Sequence, residues 1–240
     1  MKTKTIFLMI FAVSFSTQLY AQTSSLKIAS KKVSYTRKGE NIPDHKKTFE
    51  VNYPVISGLK DPSTSKKVES AISYWKNFGT TLEENIGDYT WLYSLDYKIN
   101  YNKNSILDIS LYMEGSGAYP STHVKNLVID LKTGRRVNIA DTFTNIGKLL
   151  VKIEKAQRVA IAKAAQEDEI TLEELNEEIR RNSRYTLEEF SINDKGVTFL
   201  FDYGFPHAIK ALEPDGRNFF TWKEMRPHIK PNSLLGKFIY

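Results

Sequence analysis

Apolar and polar residues alternate along several stretches of this chain, and between those stretches apolar residues recur every three or four positions. Phe49, Val51 and Tyr53 fall on one face of Thr48–Val55, and Pro54 and Gly58 punctuate its end. Asp61-Pro62-Ser63 then sets a turn and a helix start. Val68, Ala71, Ile72, Trp75 and Phe78 line one face of a helix expected over residues 63–84. Leu95, Tyr97, Ile99 and Tyr101 alternate into the turn Asn102-Lys103-Asn104-Ser105, and Leu107, Ile109, Leu111 and Met113 alternate out of it. That pattern is a β-hairpin. After a loop of small residues, Gly115 to Thr122, comes a strand with Leu127, Ile129 and Leu131. Lys132-Thr133-Gly134-Arg135 turns the chain into Val137 and Ile139.

Two helices follow. The first is expected over roughly residues 144–167. The second is opened by the capping-box pair Thr171 and Glu174 and runs to about Asn182, with a charged outer face. Phe190 and Ile192, the turn Asn193-Asp194-Lys195-Gly196, and Val197, Phe199, Phe201 and Tyr203 make a last hairpin. The loop Gly204-Phe205-Pro206-His207 comes next, then a strand at Phe219–Trp222 and a short helical turn at Trp222–Arg226. Strands joined by tight turns and partly segregated from helices predict an α+β fold: a mainly antiparallel sheet with packed helices, one compact domain over residues 48–240. Residues 22–47 are polar and lysine-rich and read as a loose leader with one short strand around Lys32–Thr36.

The first residues change the picture of where the chain works. Lys2 and Lys4 precede an apolar run from Ile6 to Phe15, and a polar stretch leads to Ala21. This is the plan of a cleavable signal peptide over residues 1–21. Its apolar run of about ten residues falls short of the roughly 20 that span a bilayer. The expected location is therefore periplasmic or secreted, with no membrane span after cleavage. There is no cysteine, which excludes a lipid-modified cysteine, disulfides and thiolate metal sites. The formal net charge is +6, and about +4 once Lys2 and Lys4 leave. This mild, mixed-sign excess on an exported chain argues against a nucleic-acid partner.

Candidate chemistry is sparse. His45, His123, His207 and His228 show no close metal-ligand spacing, so no metal site is expected. The chain lacks a G-x-S-x-G elbow and a dinucleotide or phosphate-binding glycine pattern, so no cofactor is expected. Asp88, Asp96, Asp108, Glu114, Asp130 and Asp202 lie on or beside strands, but nothing selects two of them as a catalytic pair. Gly115-Ser116-Gly117 reads as a flexible or tightly turned loop, since glycine admits positive φ. Tyr and Phe number 13 each, and aromatic residues crowd the centre, suited to packing and also to binding surfaces.

Tyr53-Pro54-Val55-Ile56-Ser57-Gly58, Leu107–Tyr112, Gly117-Ala118-Tyr119-Pro120-Ser121-Thr122, Leu127–Gly134, Ala140-Asp141-Thr142-Phe143, Phe190–Tyr203 and Trp222 occur in an order that resembles the exported domain of the RsiV anti-sigma factor and the PdaC peptidoglycan deacetylase. The resemblance spans roughly residues 48–230. Where that family's loop usually has histidine, this chain has Tyr119. No deacetylase domain or anti-sigma segment is expected here, so the resemblance implies neither activity. It implies a stand-alone recognition domain of the cell envelope. Its ligand would be a lysozyme-like protein, as RsiV's domain binds, or peptidoglycan or another glycan. The expected contact residues are Gly117, Ala118, Tyr119, Pro120, Ser121 and Thr122, beside Phe205 and His207; the bland alternative is a plain connector. Two other functions stay open. One is an envelope hydrolase or transferase with a site near His123 or His207. The other is a secreted effector or immunity partner.

Overall fold

A ten-residue strand, β1 (Lys27–Thr36), pairs antiparallel along its whole length with β2 (Thr48–Ser57), from Lys27 opposite Ser57 to Thr36 opposite Thr48. The structure is a computed structural model, and it describes residues 26–87, 89–167, 170–182 and 189–239. The signal peptide expected over 1–21 lies outside the described residues. Within the supposed leader the strand is twice the length that the sequence predicts. β1 is a sheet edge whose side chains are mostly exposed, so it lacks the apolar alternation that marks an inner strand.

The single helix expected over 63–84 is three: α1 (Pro62–Ala71), α2 (Tyr74–Phe78) and α3 (Leu82–Ile86). Asp61 caps α1 by accepting from the amides of Ser63 and Thr64. Ser73 is extended, Gly79 ends α2 at φ +66°, and Thr81 with Glu84 restarts the helix through a capping box. Val68, Ile72, Trp75 and Phe78 nevertheless pack on one core, so the period survives the breaks.

These helices cross from β2 to β3 (Leu92–Lys103), which runs parallel to it. β3, β4 (Ile106–Ser116) and β5 (Pro120–Asp130) form an antiparallel meander, with Ile99 opposite Ile109. The two-residue β6 (Arg135–Arg136) closes a six-stranded sheet, ordered β1-β2-β3-β4-β5-β6. The chain then forms α4 (Ile139–Thr142), not a longer strand through Val137 and Ile139, followed by α5 (Ile146–Glu167) and α6 (Leu172–Asn182). A three-stranded antiparallel sheet of β7 (Glu189–Ile192), β8 (Gly196–Leu200) and β9 (Arg217–Thr221), with α7 (Trp222–Met225), completes the mixed α+β domain.

β4 is covered on both faces. Leu107, Ile109 and Leu111 pack beneath α1–α3, whereas Ile106 faces the second sheet and its aromatic core of Phe143, Phe190, Phe199 and Phe220. A third cluster joins α5 and α6 to Tyr203 and Phe205. Between the sheets runs a polar seam. The Asp108 carboxylate, wholly buried, accepts from Ser191 Oγ (2.6 Å), the Ile192 amide and Asn100 Nδ2 (3.0 Å). Asn100 also donates to Ser110 Oγ, which donates to Asn126, and Asn126 donates to Glu189 on β7. Burial pushes the Asp108 carboxyl up, against the hydrogen bonds from Asn100, Ser191 and Ile192.

The helix-cap carboxylates shift the other way. Hydrogen bonds from the Thr64 hydroxyl, the Thr81 amide, the Thr171 hydroxyl and the Thr221 amide hold Asp61, Glu84, Glu174 and Glu224 respectively below their ordinary values. Carboxyls lowered in the folded state add stability above their unfolded pKa, and that stability is lost as pH falls through the folded values. Asp108, raised, has the opposite sign: its contribution is present at low pH and is lost as pH rises through its folded value. These four, with Asp202 lowered as well, oppose one, so the melting temperature is expected to drop from about pH 5 towards about pH 2. A melting temperature that climbs across that interval contradicts this balance.

Candidate functional site

The β4–β5 hairpin ends in the turn Gly117-Ala118-Tyr119, with Ser116 opposite Pro120 at the last rung. Gly117, Ala118, Tyr119, Pro120, Ser121 and Thr122 are all exposed. The base of this turn is held by an aromatic that the sequence reading did not connect to it. A Cβ on Gly115 would lie 2.3 Å from the Trp91 carbonyl oxygen and 2.5 Å from its indole, and the Ser116 amide donates to that same carbonyl. Glycine at 115 therefore serves close approach, not a positive φ. The pair of glycines in the loop was the available signal that a large side chain seats there. Lys46 Nζ, from the supposed leader, fastens Ser116 by donating to its carbonyl (2.9 Å).

Tyr119 leaves the tip and meets His207. Their rings stack with centroids 4.3 Å apart and planes 21° from parallel. Tyr119 is nonetheless 62% exposed, so the stack braces it while leaving most of the ring in solvent. The two loops expected to neighbour one another thus do so. Phe205 is the exception among the candidate residues. At 5% exposed it belongs to the core with Ile161, Leu175 and Ile179, so it supports the segment and offers no contact surface. Phe205 lies between Gly204 and Pro206 in a loop, where no strand or helix period tells which side chain is covered.

Beneath the hairpin lies a cleft of about 1040 Å³, between the outer edge of β5 and the segment that links β8 to β9. His123, on β5, lines it, with its ring 5.2 Å from that of Trp91. Three of the acids around the cleft are engaged elsewhere, and the fourth, Asp215, is exposed. Glu189 accepts from Asn126 and pairs with Lys125; Glu213 pairs with Lys210 and accepts from the Phe205 amide. Burial would raise the Asp202 carboxyl, but the Gly204 amide and the Lys210 ammonium outweigh it and hold it below the ordinary value. Among the described residues no hydrogen bond or ion pair joins His123 or His207 to a carboxylate, and no group of three His, Asp or Glu side chains could hold a metal ion.

The strand carboxylates named from the sequence serve local structure. Asp96 accepts from Asn52, Glu114 from Ser94, and Asp130 from the Lys132 amide and Thr133 in the turn before β6. Asp108 is the seam between the sheets, and Asp88 lies outside the described residues. No helix among the described residues is long and apolar enough to cross a membrane.

No family profile matches the sequence, and neither does any curated protein. A solved structure does share its architecture. A member of the DUF3298 family from Bacteroides fragilis superposes with a TM-score of 0.54 at 12% identity, covering 90% of this chain and 98% of that one. A DUF3298 family protein from Pseudomonas aeruginosa PAO1 aligns with a TM-score of 0.49 at 10% identity, covering 86% of this chain and 94% of that one. With the two sheets, the crossover helices and the braced hairpin in place, the chain has the fold of a DUF3298-family protein.

Proposed function

We propose that this chain is a recognition module of the cell envelope, working in the periplasm or outside the cell, which binds a protein or glycan without transforming it. One observation carries the reading: Tyr119 stands 62% exposed at a hairpin tip and is held there by the His207 ring at 4.3 Å. An exposed aromatic normally gains by folding inward. One that is pre-positioned on the surface has already met most of the ordering cost of binding. The resemblance to the RsiV and PdaC domains supports the same reading and points to two ligands, a lysozyme-like protein and peptidoglycan. Charge favours the second, because a mature chain of about +4 repels a cationic protein at long range.

The competing hydrolase or transferase reading has His123 in its cleft. Its ring is packed on Trp91; Glu189, Asp202 and Glu213 are tied to Lys125, Lys210 and main-chain amides, and among the described residues no hydrogen bond joins the exposed Asp215 to His123. That leaves the histidine without an orienting partner for general-base work.

The test is retention of peptidoglycan fragments and of lysozyme on immobilised residues 22–240. Tyr119→Ala is expected to weaken binding of the retained ligand by roughly tenfold, a hot-spot loss. Its melting temperature should stay within about 2 °C of the parent, as for an exposed side chain. His207→Ala should weaken binding less, by freeing the ring it braces. Retention of neither ligand, or equal retention by Tyr119→Ala, rejects the hairpin as the contact surface.

A further inference from the structure

A second concavity of about 1050 Å³ lies between α1 and the turn that joins β5 to β6. We propose that it binds an acidic glycan, a sugar chain bearing carboxylate or sulfate groups. The wall on α1 is made by Ser63, Lys66, Lys67 and Ser70, which share one helix face at spacings of three and four. The opposite face of that helix carries Thr64 and Val68 into the core, so packing fixes which side meets the groove. The β5–β6 turn sits hard against α1: a Cβ on Gly134 would come within 2.6 Å of the Lys67 Cβ and 3.0 Å of the Thr64 carbonyl. Arg135 and Arg136 are thereby brought across from Lys66 and Lys67.

Lys66, Lys67, Lys76, Lys125, Arg135 and Arg136 line this groove, and no acidic residue does. Among the described residues only Lys125 of these six makes an ion pair, with Glu189. The adjoining cleft, which meets the groove at Asn77 and Lys125, is built differently. There Lys210 is paired with both Asp202 and Glu213. Among the described residues Lys66, Lys76, Arg135 and Arg136 make no ion pair, and Lys67 has only the attraction of the exposed Asp61, so the groove carries an excess of positive charge open to an anionic ligand. Like charges held together across a concave wall raise the local potential and concentrate anions.

The rest of the lining selects among polyanions. Phe, Tyr and Trp are absent from it, so a nucleobase finds no stacking platform, which single-stranded nucleic acids ordinarily require. Ser63 and Ser70 flank Lys66 and Lys67 along α1, so hydroxyls as well as cations face the groove, as suits a chain that carries both hydroxyls and acid groups. Compact lysine ammoniums act as point charges and tolerate the spacing of such a chain. This assignment is independent of the hairpin reading, since no residue of the groove touches Tyr119 or His207.

The test uses residues 22–240 and titrates polygalacturonate, dextran sulfate, neutral dextran and a single-stranded oligonucleotide at roughly 50 and 200 mM salt. Polygalacturonate or dextran sulfate should bind, dextran should not, and affinity should fall as salt rises. Which of the two binds more tightly names the acid group. Lys66→Gln with Arg135→Gln should weaken binding at least roughly fivefold, as expected for two partly exposed charge contacts. Lys163→Gln with Lys223→Gln, which lowers net charge equally outside the groove, should leave it nearly unchanged. Tyr119→Ala should also leave it unchanged, which separates this site from the hairpin. Equal losses in both double variants, absence of binding by either acidic polymer, or tighter binding of the oligonucleotide each overturns the assignment.

Discussion

Asp108→Ala is expected to lower the unfolding free energy by about 2–4 kcal/mol, because it orphans donors on both sheets at once. The carboxylate is wholly buried and accepts from the Ser191 hydroxyl, the Ile192 amide and the Asn100 side chain. Ser191 and Ile192 lie on β7, and Asn100 and Asp108 on β3 and β4, so this side chain joins the two sheets, alongside the contacts of Glu189 with Lys125 and Asn126. Burying its charge is costly, as its raised pKa reflects, and removing it recovers part of that cost. The orphaned donors have no water to turn to, which is why the net effect remains a loss. Urea unfolding should give a lower midpoint, and the melting temperature should fall by roughly 10 °C. Asp108→Asn retains one acceptor oxygen but aims an amine at donors, and should fall between the parent and the alanine variant. A midpoint unchanged in Asp108→Ala would mean that the phenylalanine cluster and the Glu189 contacts hold the sheets without it.

Arg37→Ala should cost about 3 kcal/mol, a comparable loss at the opposite end of the molecule. The Arg37 side chain is 5% exposed, and among the described residues its guanidinium meets no carboxylate. It donates to the carbonyls of Lys46, Thr48 and Leu92 and, through Nε, to that of Tyr89 at 3.2 Å. It also lies over the Phe49 ring, 4.8 Å from the centroid. Burial lowers its pKa, yet a guanidinium stays charged, and among the described residues main-chain oxygens and the Phe49 ring hold the cation. Arg37→Lys offers fewer donors in a different geometry and should recover less than half of the loss. Deletion of residues 26–47 removes this anchor, β1 and Lys46 together, and should abolish cooperative unfolding. A shortened chain that melts as the parent does would show that the first strand is dispensable.

These two residues also mark where reading the sequence stops. Alternation placed the β3–β4 hairpin, the β7–β8 hairpin and most inward-facing apolar residues, because each strand carries its own period. Asp108 sits in that same alternation as one of several strand carboxylates, and its burial comes from β7, which lies more than 80 residues away. Arg37 falls in a lysine-rich stretch that looks like a leader, since an edge strand needs no apolar rhythm. The breaks after α1 and α2 were hidden by apolar positions that stay in phase through Ser73 and Gly79. At the candidate site, the resemblance drew attention to the 117–122 and 205–207 loops, and their meeting through Tyr119 and His207 followed from geometry. Trp91 beneath the hairpin and the basic groove were not legible. The groove's cations come from α1, α2, β5 and β6, and no linear pattern joins Lys66 to Arg136.

β1 has a further consequence for the behaviour of many copies together. It is the outermost strand of the six-stranded sheet, and its sequence carries Lys27, Lys31 and Lys32, of which Lys32 is matched within the chain by Glu50. An identical strand docking along that border would bring two rows of ammonium groups into register. Repulsion between them disfavours the strand-by-strand growth that leads to fibrils, so the long exposed border is kept from acting as a template for aggregation.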